Sequence, residues 1–388
     1  MMKPHYILLI LTAIIFCCTS NPSAHFTYHP PENIHDGLRV ASLDDVQINP
    51  ALLISLTKDI LDDKFSEVHS ILILKDNKLV FEEYFPGHRF AYENANHHGD
   101  QFVWKRDSLH RMMSVSKSIT SACIGIAVDQ GFILNVHQSI FDYLPEYRHL
   151  NDDGKDKITI EHLLTMTSGL KGNEWLVPYS NPKNDVIEVY FSEDPLETIL
   201  EKPLLHTPGE YFQYYGGSNF LLGEILRNAS KLNLDSFSKK YLFDPLGIAP
   251  YEWLRLNKDV IDGAGGLILT PRDMAKIGLL FLNKGVWNEK RILPEDWIKK
   301  SAFPYPGNSW MNSWDDHWGM RGYACSWWTH TFSHVGKKID MYYAAGWGGQ
   351  YIMIIPELNT VVVFTGGNYT TSRPCFGILK NYILPAYQ

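Results

Sequence analysis

Residues 114–131 read SVSKSITSACIGIAVDQG and combine a polar start with a long apolar run that stops at a glycine. This spacing predicts a helix that ends at Gly131. Ser114 and Lys117 are three residues apart and would share one helix face. The serine would lie at the helix N-terminus, where backbone N–H groups favour developing negative charge. The arrangement suits a nucleophilic serine with a lysine partner, although a helix cap followed by a solvated lysine has the same pattern.

Four further segments follow this pattern along the chain. They are ITIEHLLTMTSGL (158–170), PGEYFQYYGGSNFLLG (208–223), GAGGLILTPRDMAKIG (263–278) and GWGGQYIMIIP (346–356). Together with SVSK, and in this order, they resemble the serine β-lactamase-like hydrolases. That superfamily includes class C β-lactamases, DD-peptidases, family VIII carboxylesterases and 6-aminohexanoate-dimer hydrolases. The resemblance runs from about Val68 to the C-terminus and is specific for the family but not for the substrate.

The resemblance assigns roles to three residues. Ser114 matches the nucleophile that becomes acylated, and Lys117 matches the partner that takes its proton or tunes its pKa. Tyr214 matches the tyrosine of the family's Y-x-N element, a phenol that shares the general-base role and later helps to deliver water. Tyr215 is the alternative for that role, and otherwise a candidate substrate contact.

The segment that begins at Gly346 takes the place of the K-T-G strand beside the active site of the family. By the same resemblance, the Trp347 backbone N–H would complete an oxyanion hole with the Ser114 N–H, and Gly348 is the next candidate donor. Gly348, Gly349 and Gln350 are also candidate substrate contacts. Glycines at such a position equally fit a β-bulge, which would be compatible with close approach of the backbone to a substrate.

Two departures from the family pattern bear on the substrate. The asparagine of Y-x-N is replaced by Gly216, and the K-T-G lysine and threonine are absent. Without these groups little would offset the cost of desolvating a substrate carboxylate, so an ester, or an amide without a required carboxylate, fits better. Arg321, Lys337 or Lys338 could replace the missing cation from elsewhere.

Aromatic residues are plentiful, with 11 Trp, 21 Tyr and 19 Phe. Residues 310–328 are dense in them, and part of this segment could wall a substrate cleft. Trp175, from another part of the chain, is a further candidate substrate contact in that cleft.

The predicted fold is α/β (α+β) and resembles the β-lactamase/transpeptidase fold, with an antiparallel sheet flanked by helices plus a helical insertion domain. Strands are predicted at 70–74, 79–84, 341–345, 351–355 and 360–365. Helices are predicted at 51–63, 160–168, 220–229 and 271–284, between those two groups of strands or beside them.

The domain boundaries follow from this order of elements. Residues 19–50 form an extended lead-in, and residues 51–388 form a single β-lactamase-like hydrolase unit. Its α/β part spans 51–130 and 265–388, and its helical part spans 131–264.

Residues 1–18 are interpreted as a signal peptide. Tyr6 to Phe16 is an apolar run of the length of a signal-peptide core, preceded by one lysine and followed by Cys17 and Cys18. A lipoprotein signal would attach lipid to one of these cysteines and tether the protein to a membrane. The sequence therefore predicts an exported protein, periplasmic or membrane-anchored.

The bulk composition narrows the classes of partner. The 388 residues are 45% hydrophobic and 20% charged, with a net charge of −8 and no basic stripe, which argues against nucleic acid. There is no Cys/His ligand spacing, no H-E-x-x-H and no P-loop, so neither a metal nor another cofactor is predicted. Cys123 is expected to be a small buried hydrophobe.

These observations lead to one function and two alternatives. The prediction is a serine hydrolase that cleaves a small-molecule ester or amide through an acyl-enzyme on Ser114. The alternatives are a β-lactamase or DD-peptidase acting on cell-wall-like substrates, and a non-catalytic binding protein or sensor on the same fold.

Overall fold

An eight-stranded sheet is the centre of the fold. The computed structural model describes residues 22–308, 322–371 and 373–387. The sheet has the order β1-β3-β2-β15-β14-β13-β12-β11, and every pairing in it is antiparallel except β1 with β3. Its strands are β1 Arg39–Val40, β2 Val68–Lys75, β3 Lys78–Tyr84, β11 Gly322–Tyr323, β12 Trp328–His334, β13 Lys337–Gly346, β14 Gln350–Ile355 and β15 Thr360–Gly366.

The smaller strands lie outside this sheet. Two hairpins pair β4 with β5 and β9 with β10, and a three-stranded sheet has the order β6-β8-β7. The bounds are β4 Pro86–Phe90, β5 His98–Val103, β6 His110–Arg111, β7 Glu252–Trp253, β8 Leu267–Leu269, β9 Val286–Trp287 and β10 Lys290–Arg291.

Twelve α-helices are present in the described ranges. They are α1 Pro22–His25, α2 Pro50–Leu61, α3 Val115–Asp129, α4 Ile160–Leu164, α5 Asp185–Phe191, α6 Pro195–Leu200, α7 Gly217–Ser230, α8 Leu234–Ser238, α9 Asp244–Leu246, α10 Pro271–Leu282, α11 Glu295–Ala302 and α12 Cys375–Ile378. Within these ranges the structure contains no helix long and apolar enough to cross a membrane.

The central strands are buried on both faces, because helices cover the sheet from both sides. Along β2, Leu72 and Leu74 enter the larger hydrophobic core, which contains α3, α10 and the helical part. The alternating residues Ile71 and Ile73 enter a second core with α2 and the C-terminal helices. This two-residue alternation is what a pleated strand between two layers requires, and the predicted fold is confirmed.

Helix α3 lies in the larger core, and all its residues from Val115 to Ala127 are buried. Its Gly125 packs so closely on Trp297 of α11 that a Cβ atom there would lie 2.5 Å from the indole ring. Cys123 is fully buried, as predicted. The helix that carries Ser114 is therefore held rigidly between the sheet and the helical part.

One predicted boundary is wrong. The helix after Thr159 ends at Leu164, before the predicted end at residue 168. The predicted lead-in contacts the sheet: β1 pairs with β3, and Tyr28 donates a hydrogen bond of 2.8 Å to the Val80 carbonyl. The signal segment 1–18 and most of the aromatic segment, including Arg321, lie outside the described residues.

Candidate active site

Ser114 is the N-cap residue of α3, and hydroxyl groups in the next two turns fix this end of the helix. The Ser116 hydroxyl accepts a hydrogen bond from the Leu267 N–H at 3.1 Å. Ser118 donates to the Ser326 carbonyl at 2.6 Å, and Thr120 donates to the Gly263 carbonyl at 2.9 Å. The residue before the nucleophile, Met113, has a positive φ of 50°. Ser114 thus lies at a sharp turn whose position is set by bonds to two other segments.

The Lys117 side chain is buried and points at Ser114. Its Nζ donates to Ser114 Oγ at 2.9 Å and to the Ala264 carbonyl at 3.1 Å. A third oxygen, Glu174 Oε1, lies 3.4 Å away, and both side chains of this ion pair are almost completely buried. Lys117 Nζ thus has two hydrogen-bond acceptors and one carboxylate at ion-pair distance, surroundings that suit a lysine ammonium.

Sequence reasoning missed Glu174, which lies in the loop between α4 and α5. Burial raises its pKa, while the nearby Lys117 ammonium and a hydrogen bond with Tyr179 act in the opposite direction. Its backbone N–H donates to the Tyr214 carbonyl at 3.2 Å, so the loop is tied directly to the predicted catalytic segment. A loop glutamate has no periodic signal, and only its tertiary contacts identify it.

Tyr214 lies beside the same pair, with its ring centre 4.9 Å from Lys117 Nζ and a hydrogen bond to Ser114. Burial and the Glu174 carboxylate raise its pKa well above the usual value, and the Ser114 bond offsets this only in part. Tyr214 is therefore a protonated phenol at neutral pH, suited to donate a proton.

Tyr215 lies in a different environment. It is 2% exposed, belongs to the larger core and packs against Gly172 and Gly217. Since chain neighbours here point to opposite sides, we reassign Tyr215 from substrate contact to core.

The turn before β14 carries the predicted oxyanion donor. The Trp347 side chain lines the cavity beside Ser114, and its indole N–H donates to the Tyr369 carbonyl at 2.6 Å. The next two residues, Gly348 and Gly349, have φ values of 90° and 104°, a conformation that favours glycine. The strand thus holds the Trp347 backbone in a turn next to the nucleophile.

Gln350 is fully buried and both ends of its amide are used. Its Nε2 donates to the carbonyls of Trp347 (3.1 Å) and Gly366 (2.7 Å), and its Oε1 accepts from the Gly366 N–H at 3.0 Å. The expected substrate contact at Gln350 is wrong, and this residue instead joins the turn to β15. The buried Gly348 and Gly349 likewise shape the turn.

A cavity of about 300 Å³ opens onto Ser114 and Lys117. Most of its wall is apolar or aromatic, and one further cation, Arg111, is part of it. The cavity is lined by Phe90, Tyr92, Arg111, Met113, Ser114, Lys117, Glu174, Tyr179, Val186, Ile187, Tyr190, Phe191, Ala264, Gly265 and Trp347. Such a wall suits a small molecule with an apolar body and few polar groups.

The other residues predicted to contact substrate lie outside this wall. Trp175 stacks on the Tyr214 ring at 4.8 Å, with 40% of its surface exposed, so it borders the site from the other side of the phenol. Lys337 and Lys338 begin β13, whereas the active-site turn follows its last residue, Gly346. At about 3.3 Å per residue the strand separates them by roughly 26 Å, so neither can replace the missing cation.

One group of side chains has the composition of a metal site. Glu67, His88 and His98 place ligand atoms within 4.8 Å of one another. Glu67 already accepts hydrogen bonds from His88 Nδ1 at 2.6 Å and from His69 Nε2 at 3.0 Å. Although burial acts to raise its pKa, these bonds hold the pKa of Glu67 at about 2. The described contacts thus account for this cluster as an internal hydrogen-bond network.

Comparisons with known proteins agree with this geometry. A family model described as Beta-lactamase matches residues 67–373. Among relatives, a 6-aminohexanoate-dimer hydrolase of Paenarthrobacter ureafaciens is 24% identical over 272 residues. The aligned part covers 66% of this chain and 66% of the relative, just under two thirds of the relative's length.

Solved structures show the same fold. EstCE1, a hydrolase with promiscuous acyltransferase activity, superposes with a TM-score of 0.64 at 16% identity, covering 87% of this chain and 96% of that one. The octameric penicillin-binding protein homologue from Pyrococcus abyssi gives a TM-score of 0.61 at 18% identity, with coverages of 87% and 77%. From the matched family model and the site it spans, this chain belongs to the Beta-lactamase family of hydrolases.

Proposed function

We propose that the protein is a serine hydrolase that cleaves an ester or amide of a small molecule through an acyl-enzyme on Ser114. The observation that carries this proposal is the 2.9 Å hydrogen bond between Lys117 Nζ and Ser114 Oγ at the wall of a cavity. A hydroxyl becomes a good nucleophile only when a neighbouring base removes its proton.

Glu174 makes that base available. Lys117 and Glu174 form a buried ion pair, and burial raises the pKa of the carboxyl, which eases transfer of a proton from the lysine to give a neutral pair. In the neutral pair Lys117 is a free amine, and it can accept the Ser114 proton. The proton is shared within a coupled group that titrates as a unit.

Acylation then proceeds with defined proton transfers. Ser114 Oγ attacks the carbonyl carbon while its proton passes to Lys117, and the oxyanion forms opposite the backbone N–H groups of Ser114 and Trp347. The bond to the leaving group breaks as Tyr214 protonates that group, and Lys117 returns a proton to Tyr214. Water attacks the acyl-enzyme by the same route in reverse and releases the acid.

The proposal is tested by comparing wild type with Ser114→Ala on a panel of nitrophenyl esters, aryl amides and a chromogenic cephalosporin. We expect turnover of esters or amides by wild type, loss of that turnover in Ser114→Ala, and the same unfolding temperature for both. Ser121→Ala is the matched control, because it removes another buried hydroxyl of α3, one that bonds to the Cys325 carbonyl at 2.8 Å. Equal rates for wild type and Ser114→Ala would refute the proposal, and rapid turnover of the cephalosporin alone would favour a β-lactamase.

We also propose that the protein is exported and tethered through lipid on Cys17 or Cys18. The support is the sequence of residues 1–18, with its apolar core ahead of two cysteines. Growth with a labelled fatty acid would place label on the protein in the membrane fraction, and Cys17→Ser/Cys18→Ser would lose it. Unlabelled protein in the cytoplasmic fraction would refute this proposal.

A further inference from the structure

Arg111 occupies a fixed position in the cavity wall, three residues before the nucleophile. It ends β6, which pairs with β8 so that Arg111 lies opposite Ile268. Both Arg111 and Ser114 line the same cavity. A molecule bound at the nucleophile therefore shares its enclosure with a guanidinium group.

That guanidinium has no carboxylate at ion-pair distance among the described residues, although its charge opposes the rise in the pKa of the buried Asp262. Its Nε is buried and makes no hydrogen bond there, and no carboxylate of the described chain lies within 4.0 Å of it. Its one close aromatic contact is the Phe90 ring, with the guanidinium carbon 5.1 Å from the centroid. A buried N–H without an acceptor is costly, and an arginine fork is shaped to bind a carboxylate with two hydrogen bonds.

The buried acid on which the Arg111 charge acts, Asp262, has hydrogen-bond partners of its own. Asp262 Oδ1 accepts hydrogen bonds from the N–H groups of Ala264 and Gly265, at 3.0 and 2.8 Å. Its Oδ2 accepts from the Tyr190 hydroxyl at 2.6 Å. Both carboxylate oxygens are thus engaged elsewhere.

Arg272, which is buried where Arg111 is partly exposed, shows what a satisfied guanidinium looks like in this protein. Arg272 donates from Nε and Nη2 to the two carboxylate oxygens of Glu82, at 2.7 and 2.6 Å, and also contacts Asp36 at 3.2 Å. Arg111 has the same donors in the wall of the cavity without such partners. An arginine that binds a ligand requires guanidinium donors that are not already bonded to a carboxylate of the protein.

We propose that Arg111 forms an anion subsite of the active-site cavity, and that the substrate is an ester or amide with a carboxylate on a short apolar chain. The chain would pack against the apolar wall that includes Met113 and Ile187. The inference rests on the proposed hydrolase function and names its substrate class. It replaces the expectation of a substrate without a carboxylate, which depended on the missing lysine of the K-T-G strand.

The test compares two series of 4-nitrophenyl esters. One series is the monoesters of glutaric, adipic and pimelic acid, and the other has the same chains with a neutral terminal carboxamide. The measured quantity is the acid-to-amide ratio of kcat/KM after subtraction of the Ser114→Ala rate. For the chain length that fits, we expect wild type to prefer the acid by about 10-fold or more, as a charge-assisted bond predicts.

Variants connect that ratio to one side chain. In Arg111→Gln we expect the ratio to fall to about one, and in Arg111→Lys to be intermediate, because lysine keeps the charge but not the fork. Arg106→Gln is the matched control: this exposed arginine pairs with Glu32 at 2.8 Å outside the cavity, and the ratio should stay at the wild-type value. If Arg111→Gln does not fold, the wild-type ratio and competitive inhibition by glutarate, adipate and pimelate against their diamides decide the question.

Two results would overturn the inference. One is a wild-type ratio near one at every chain length, with no selective inhibition by the dicarboxylates. The other is a preference for the acid that persists in folded Arg111→Gln. Ser114-dependent turnover of the neutral esters would in both cases leave the proposed function intact, whereas turnover of no ester at all would count against that function.

Discussion

Replacing Glu174 with glutamine removes one charge from the buried pair and keeps the shape of the side chain. At an effective dielectric constant of about 20, unit charges at the 3.4 Å between Lys117 Nζ and Glu174 Oε1 attract by about 5 kcal/mol. Since one pH unit corresponds to about 1.4 kcal/mol, the upper limit of the effect is about 3.5 pH units. Rearrangement of nearby dipoles reduces it, and we expect a shift of about 1 to 3 units.

The direction follows from the proposed role of the lysine. Without the carboxylate the protonated form of the coupled catalytic group loses the attraction of a nearby negative charge, so the acid limb of the pH profile of kcat/KM moves to lower pH. We expect kcat at the plateau to fall as well, because Glu174 no longer positions the lysine. Glu174→Asp retains the charge, and its acid limb should stay close to that of wild type.

The assay is kcat/KM of the best nitrophenyl ester from about pH 4 to pH 10, for enzyme shown to be folded at each value by circular dichroism. Glu210→Gln, at an exposed loop position, is the control for a lost surface charge. An unchanged acid limb in folded Glu174→Gln, with only a lower plateau, would show that the carboxylate has a structural role alone and would refute the electrostatic argument.

Three further predictions concern catalysis and stability. Tyr214→Phe should lower kcat by about 100-fold or more, measured on the same ester, because it removes the proposed proton donor; a kcat near wild type would contradict that role. Gly125→Ala should destabilise the fold by about 1–3 kcal/mol in urea unfolding, since the added Cβ would lie 2.5 Å from Trp297, whereas Gly377→Ala, with nothing within 4 Å, should not. Burial raises the pKa of Glu83 to about 7, so wild type loses stability as the pH rises from about 4.5 through that value. Glu83→Gln should therefore be more stable than wild type by about 1–2 kcal/mol near pH 8 and equal to it near pH 4, and equal stability at both pH values would contradict the burial argument.

Local sequence predicts the elements that carry the site, because their signals lie within each element. The apolar run after Ser114 predicts α3, and Thr270 followed by a proline predicts the start of α10, where the Thr270 side chain does accept from the Asp273 N–H. The hairpin of β2 and β3 also has its turn between the predicted strands 70–74 and 79–84, at Asp76 and Asn77, both at positive φ.

Residues that reach the site from loops and short strands could not be predicted in this way. Glu174 acquires its role from Lys117, which lies 57 positions away in the sequence. Arg111 acquires its role because its Nε has no hydrogen-bond partner among the described residues. Neither circumstance leaves a periodic pattern in the sequence. Gln350 shows the converse error. It adjoins the active-site turn in sequence, but strand alternation directs its side chain into the sheet, where its amide is fully bonded.

The proposed hydrolysis depends most directly on Ser114 as the acylated nucleophile. Intact-protein mass spectrometry after a fluorophosphonate probe, with wild type, Ser114→Ala and Ser121→Ala compared as folded proteins, measures this without knowledge of the substrate. We predict a single adduct on wild type and Ser121→Ala that is absent from Ser114→Ala. An adduct that persists in Ser114→Ala, or no adduct on folded wild type, would contradict the role of Ser114 as the nucleophile. The absence of any adduct would favour the alternative of a non-catalytic binding protein.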